Sequence, residues 1–91
     1  MQWTLFADLA DVAGDREVAV DLDAGDPTVR DALDALFAAA PGLEDRVCDG
    51  DGSLRDHVNV LRNGETLDES DLDQTLDADD ELALFPPVSG G

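Results

Sequence analysis

Lysine occurs nowhere in this 91-residue sequence, tyrosine is likewise missing, and cysteine, histidine and tryptophan occur once each. Each shortage removes a class of function. Cys48 cannot close an internal disulfide, and no second Cys or His stands near it at a metal-ligand spacing. Its neighbours Asp49 and Asp51 are acids that raise a thiol pKa, so Cys48 reads as a structural thiol and not as a nucleophile. His57 follows Asp56, but no serine or thiol is placed with it by a recognisable motif, which leaves a nucleophilic site without its parts. No apolar run approaches the ~20 residues of a membrane-spanning helix. The first residues read directly as a strand and not as a basic, cleavable leader, so a cytoplasmic protein is the expectation.

Positive charge is equally scarce. Five arginines face 23 acids, for a formal net charge of -18. Such a surface repels nucleic-acid phosphates and anionic membranes, so neither is an expected partner. The acids are dispersed along the chain, and dispersed acid without lysine is the composition of salt-accumulating halophiles. In roughly molar salt the Debye length falls to about 3 Å, which mutes the self-repulsion. Ninety-one residues make one small domain with a modest core.

What is present is a pattern of short strands around one helix. Trp3 and Leu5 alternate with Thr4 and Phe6, predicting a first strand with Trp3 and Leu5 inward and Phe6 on the other face. Gly14-Asp15 is a turn signal, and Glu17 to Asp23 alternates strictly, with Val18, Val20 and Leu22 on one side. These two segments form an antiparallel hairpin. Thr28 stands as a helix N-cap with Asp31 three residues on, and Val29, Ala32, Leu33, Leu36 and Phe37 make one apolar stripe that must lie on the sheet. Pro41-Gly42 ends this helix, and Leu43 to Val47 adds a short helical turn.

Asp49-Gly50-Asp51-Gly52-Ser53 resembles the opening of a calcium loop, but Val60 stands where the bidentate acid belongs, so it reads as a plain loop. Val58, Val60 and Arg62 alternate with Asn59 and Leu61 into Asn63-Gly64, a strong hairpin signal, with Glu65 to Leu67 as the return strand. The acidic stretch Asp68 to Asp80, with Leu72 and Leu76 as apolar anchors, predicts a loop with a helical turn. Glu81 to Phe85 closes the sheet, Leu82 and Leu84 inward, Ala83 and Phe85 outward. The order β-β-α-β-β-β, with one helix on a mixed sheet, gives an α+β class.

The sequence closes on Leu84-Phe85-Pro86-Pro87-Val88-Ser89-Gly90-Gly91. Two prolines end the strand and begin an extended stalk, and two residues without Cβ can thread a narrow channel in another protein. A strand running into Phe-Pro-Pro-Val-Ser-Gly-Gly resembles the small archaeal modifier proteins and the sulfur-carrier subunits of molybdopterin synthase, relatives of ubiquitin. The resemblance continues through Leu5-Phe6-Ala7, Thr28 to Leu33, Val60 to Gly64 and Asp80 to Leu84. It implies a β-grasp domain over residues 1–87, with a mixed sheet of four to five strands and one main helix, and a flexible tail over 88–91. One departure is Asp79, where the family usually has a glycine before the Asp-Glu pair; a left-handed turn is expected there.

The resemblance also implies a carrier and not an enzyme. Gly91 is the residue activated and attached, with Gly90, Ser89 and Val88 as the tail that activation requires. An E1-like enzyme adenylates Gly91 with Mg-ATP, and the chain binds no cofactor of its own. The activated end then goes to lysines of target proteins, or to a thiocarboxylate used with the molybdopterin synthase large subunit. Phe6, Leu61, Leu67 and Phe85 are the expected partner-binding side chains. The first and last strands are neighbours in a β-grasp, so the outward Phe6, Phe85 and Leu61 form an exposed apolar patch. Two alternatives stay open: a thiamine-type sulfur carrier, which is usually shorter and lacks the Phe-Pro-Pro-Val-Ser run, and a ubiquitin-like interaction module that does not conjugate.

Overall fold

The computed structural model describes residues 1–22, 25–50, 54 and 58–86. Five strands, β1 (Gln2–Leu5), β2 (Glu17–Ala19), β3 (Asn59–Arg62), β4 (Glu65–Leu67) and β5 (Glu81–Phe85), form one sheet in the order β2-β1-β5-β3-β4. β1 and β5 run parallel and every other pair is antiparallel. Three α-helices, α1 (Asp8–Ala13), α2 (Val29–Ala39) and α3 (Gly42–Val47), and a 3₁₀ turn over Glu69–Asp73 complete the described residues. This is the mixed-sheet β-grasp arrangement that the resemblance implies.

The inward phases are those of the alternation. Trp3, Leu5, Val60, Leu82 and Leu84 are all at most 1% exposed, and α2 covers them with Val29, Ala32, Leu33 and Leu36. Burying an indole requires a partner for its N–H, and Trp3 Nε1 donates to Ala32 O at 3.0 Å, tying β1 to α2. α2 starts where the sequence says. Thr28 Oγ1 accepts from Asp31 N at 3.2 Å while the Asp31 carboxylate accepts from Thr28 N at 3.0 Å, a complete capping box. At the β3–β4 turn Asn63 and Gly64 have φ of 52° and 84°, the left-handed pair of a two-residue hairpin. Leu72 and Leu76 are buried, as anchors of the acidic stretch should be.

Three expectations need correction. The β1–β2 connection is not a simple hairpin, because α1 intervenes. Its Leu9, Val12 and Ala13 do recur at helical spacing, but six residues are too few for the period to declare itself. Gly14, read as a turn, is the helix's left-handed cap at φ 83°, its N–H donating to Ala10 O at 3.0 Å. Second, the strand expected to reach Asp23 is assigned only over Glu17–Ala19; Val20 continues the pairing through its N–H to Met1 O, and Asp23 lies outside the described residues. Third, Asp79 is not in the left-handed region, since Ala7 and Asn63 are the non-glycine residues of positive φ among those described. The turn before β5 is instead held by the Asp80 carboxylate, which accepts from Asp77 N at 2.7 Å.

Candidate partner face and the root of the tail

β5 carries the chain toward its Gly-Gly end, and it is gripped on both sides. Leu84 lies opposite Leu5 of β1 and Val60 of β3, and Leu82 lies opposite Trp3 and Arg62. Phe6 N donates to Leu84 O at 3.3 Å, so the ladder continues past the last residue of β1. Pro86 has no N–H to extend it. The tail residues Val88, Ser89, Gly90 and Gly91 lie outside the described residues, as does His57.

The face turned away from α2 is set by the same register. Thr4, Ala83 and Leu61 form one row across β1, β5 and β3, and Phe85 and Asn59 begin the next. Phe6 joins that second row: its ring stacks on Phe85 with centroids 4.0 Å apart and planes 8° from parallel. Both rings are half-buried, and Leu61 is too. Three of the four expected partner-binding residues therefore share one face at the root of the tail. Leu67 does not join them. It lies opposite Val60, so it shares that residue's inward face and packs against the edge of the core. The resemblance alone puts Leu67 on this face; in the register it is Thr66, opposite Leu61, that turns outward.

Two supports of this face were not foreseen. Ala7, immediately after Phe6, has φ 54° and ψ −133°, a region that suits glycine. The bend turns the chain sharply from β1 into α1, with Leu9 N donating to Phe6 O at 3.2 Å. An alanine gives no sequence signal for such a turn. The second support is a polar clamp beside β5. Arg62 Nε donates to Asp80 Oδ2 at 2.9 Å, a second guanidinium nitrogen lies 2.7 Å from the same oxygen, and Asn63 Nδ2 donates to Asp80 Oδ1 at 2.8 Å. Asn63 Oδ1 in turn accepts from Glu81 N at 2.9 Å. The Asp77 backbone N–H, then the Asn63 amide, then Arg62 hold the Asp80 carboxyl below its ordinary value. The clamp pins the β3–β4 hairpin to the first residue of β5.

Cys48 is buried, and burial first, then Glu44, Asp34 and Asp49, push its thiol up, with Arg30 opposing. That environment suppresses the thiolate. Among the described residues no cluster of three or more His, Cys, Asp or Glu side chains is arranged to hold a metal ion, and no helix is long and apolar enough to cross a membrane.

A five-stranded β-grasp with an open apolar patch at the root of a Gly-Gly tail defines the ubiquitin-like class. Within it, the chain belongs to the ThiS family, whose profile matches residues 3–91. It is 64% identical over 91 residues to small archaeal modifier protein 1 of Haloferax volcanii, spanning the whole of both chains. The crystal structure of that relative superposes with a TM-score of 0.89 over 100% of this chain and 98% of the other. Small archaeal modifier protein 3 of the same organism is 37% identical over 100% of this chain and 98% of its own. A Pyrococcus furiosus structure named for subunit 1 of molybdopterin converting factor is 25% identical, with a TM-score of 0.74 over 96% of this chain and 95% of that one. The family is thus one of small ubiquitin-like modifiers and sulfur carriers.

Proposed function

We propose that this chain is a ubiquitin-like modifier and sulfur carrier that works through the carboxylate of Gly91, as a substrate of other enzymes. A separate E1-like enzyme binds it; the Gly91 carboxylate attacks the α-phosphate of Mg-ATP, and pyrophosphate leaves. The resulting acyl-adenylate has two outlets. Attack by a lysine ε-amine of a target protein releases AMP and forms an isopeptide bond. Attack by a sulfur donor also releases AMP and, once the donor's sulfur is freed, leaves a thiocarboxylate that serves molybdopterin synthesis with the synthase large subunit. The setting is the cytoplasm, where ATP and target lysines are at hand.

The Phe6–Phe85 stack carries this reading. A half-exposed aromatic pair beside the chain's exit from the sheet gives a partner a rigid apolar anchor while the tail reaches into its active site. Leu61 and Ala83 extend the patch across β3 and β5. Gly90 and Gly91 suit a narrow channel because neither carries a Cβ. The full-length likeness to a small archaeal modifier supports the same reading over a thiamine-type carrier.

The test is ATP–pyrophosphate exchange by the activating enzyme with the full chain and with a chain lacking Gly90 and Gly91. Exchange should require the two glycines, and the truncated chain should keep its fold, since the tail follows the last strand. Equal exchange with both proteins would leave the non-conjugating interaction module as the better account.

A further inference from the structure

Ala7 stands where glycine is the residue at ease. Its φ of 54° with ψ of −133° is a geometry that glycine adopts freely and that an L-residue with a Cβ holds only under strain. What fixes this geometry is backbone. Leu9 N donates to Phe6 O at 3.2 Å, Ala10 N donates to Ala7 O at 3.2 Å, and Leu9, only 1% exposed, anchors the start of α1 in the core. None of these contacts uses the Ala7 methyl, and a glycine would make them all. The methyl also lies away from the core: Ala7 is exposed, whereas Ala10 and Ala13 of α1 pack against the buried cluster. The side chain of Ala7 is thus strained and packs on no part of the core.

Its place gives the methyl a use outside the chain. β1 and β5 run parallel with Leu5 opposite Leu84, so Phe6 comes beside Phe85, and Ala7 follows at the end of the sheet from which the tail departs. We infer that the Ala7 methyl is a contact residue for the activating enzyme, the outermost part of the apolar patch that Phe6 and Phe85 form. The inference rests on the reading of that patch as the docking face, and it adds a residue whose effect on recognition opposes its effect on stability. A methyl is the smallest side chain that offers a partner apolar surface, and bulkier or β-branched ones would raise the strain at a positive φ. The enzyme surface that meets it is apolar and has no donor or acceptor for a hydroxyl at this point.

The test sets thermal unfolding of the full chain beside its affinity for the activating enzyme by calorimetry, for the native protein, Ala7→Gly, Ala7→Ser and Phe85→Ala. Ala7→Gly should raise Tm by roughly 2–8 °C and yet weaken binding about fourfold, the effect of losing one buried methyl. Ala7→Ser keeps the restricted backbone, so its Tm should stay within about 4 °C of the native value, while burial of its hydroxyl weakens binding about fourfold or more. Phe85→Ala, which reports on the docking face itself, should weaken binding about thirtyfold or more. Native affinity in either Ala7 variant beside a weakened Phe85→Ala overturns this inference and leaves the docking face standing; for the serine variant that result would assign the glycine effect to backbone freedom. Native affinity in Phe85→Ala removes the docking face and this inference with it. A lower Tm for Ala7→Gly would also overturn it, since the strain would not be there.

Discussion

Replacing Asp80 with alanine removes the acceptor on which three elements converge. Its two oxygens take the Arg62 guanidinium at 2.9 and 2.7 Å, the Asn63 amide at 2.8 Å and the Asp77 N–H at 2.7 Å, and its side chain is only 7% exposed. Hydrogen bonds to a charged group are worth about 1.5–3 kcal/mol each, and a simple sum would overshoot badly. Arg62 is 20% exposed and keeps Gln74 at 3.3 Å and Asp77 at 3.7 Å, and Asn63 is solvated, so water recovers much of the loss. We expect Asp80→Ala to cost about 2–3 kcal/mol, the range for losing one side of a partly buried charge network. For a domain of this size that lowers Tm by roughly 10–20 °C. Asp80→Asn keeps an acceptor oxygen and should cost about 1 kcal/mol.

The same site gives a pH signature. The folded carboxyl is held below its ordinary value, so its contribution is complete above the unfolded pKa of about 4 and is lost as pH falls through the depressed folded value. The stability gap between the native chain and Asp80→Asn should therefore narrow only at acid pH. Urea unfolding followed by circular dichroism measures both effects. An Asp80→Ala protein within about 0.5 kcal/mol of the native chain at pH 7, typical of ordinary surface positions, would refute the clamp.

Other expected outcomes concern the turn, the face and the products. Ala7→Gly should stabilise the fold by about 0.5–1 kcal/mol, because relief of the φ 54°, ψ −133° geometry outweighs the added freedom of glycine in the unfolded chain; thermal unfolding decides it. Phe85→Ala should cost about 1 kcal/mol of stability by losing the stack, yet weaken binding to the activating enzyme by about 2 kcal/mol or more; calorimetry on both equilibria tests the split, and the reverse order would make Phe85 a structural residue only. Lysine-linked polymers of this chain should not form, since the sequence offers no lysine to accept Gly91. Tandem mass spectrometry of conjugates after chymotryptic digestion should place Gly91 on target lysines, and a second copy carrying it on any side chain contradicts this.

The core and the order of the strands were legible because they rest on period-two alternation and on local signals of known chemistry: Thr28 with Asp31, Asn63 with Gly64, Pro86 after Phe85. The same alternation put Phe6 and Phe85 outward, but only the resemblance to the β-grasp family made the first and last strands neighbours, as they are here. What was not legible depends on contacts distant in sequence or on too short a segment. α1 spans only six residues. Leu67 was placed by the resemblance and not by any pattern of its own, and the register sets it opposite the inward Val60. The Asp80 clamp joins residues 17 and 18 apart in sequence, and no local pattern announces that Arg62 and Asn63 meet there. Ala7 is the plainest case, since a glycine would have flagged the turn and an alanine hides it.

The central claim, that the end of this chain is its chemistry, is tested most directly by intact-mass spectrometry of the native protein isolated from its own cells without reductant, beside an immunoblot for larger species. The account predicts a fraction heavier by one sulfur-for-oxygen exchange at Gly91, or a ladder of proteins each carrying the chain through Gly91, with both signals lost when Gly90 and Gly91 are deleted. A single unmodified mass and no larger species, under conditions where the activating enzyme is present, would contradict it.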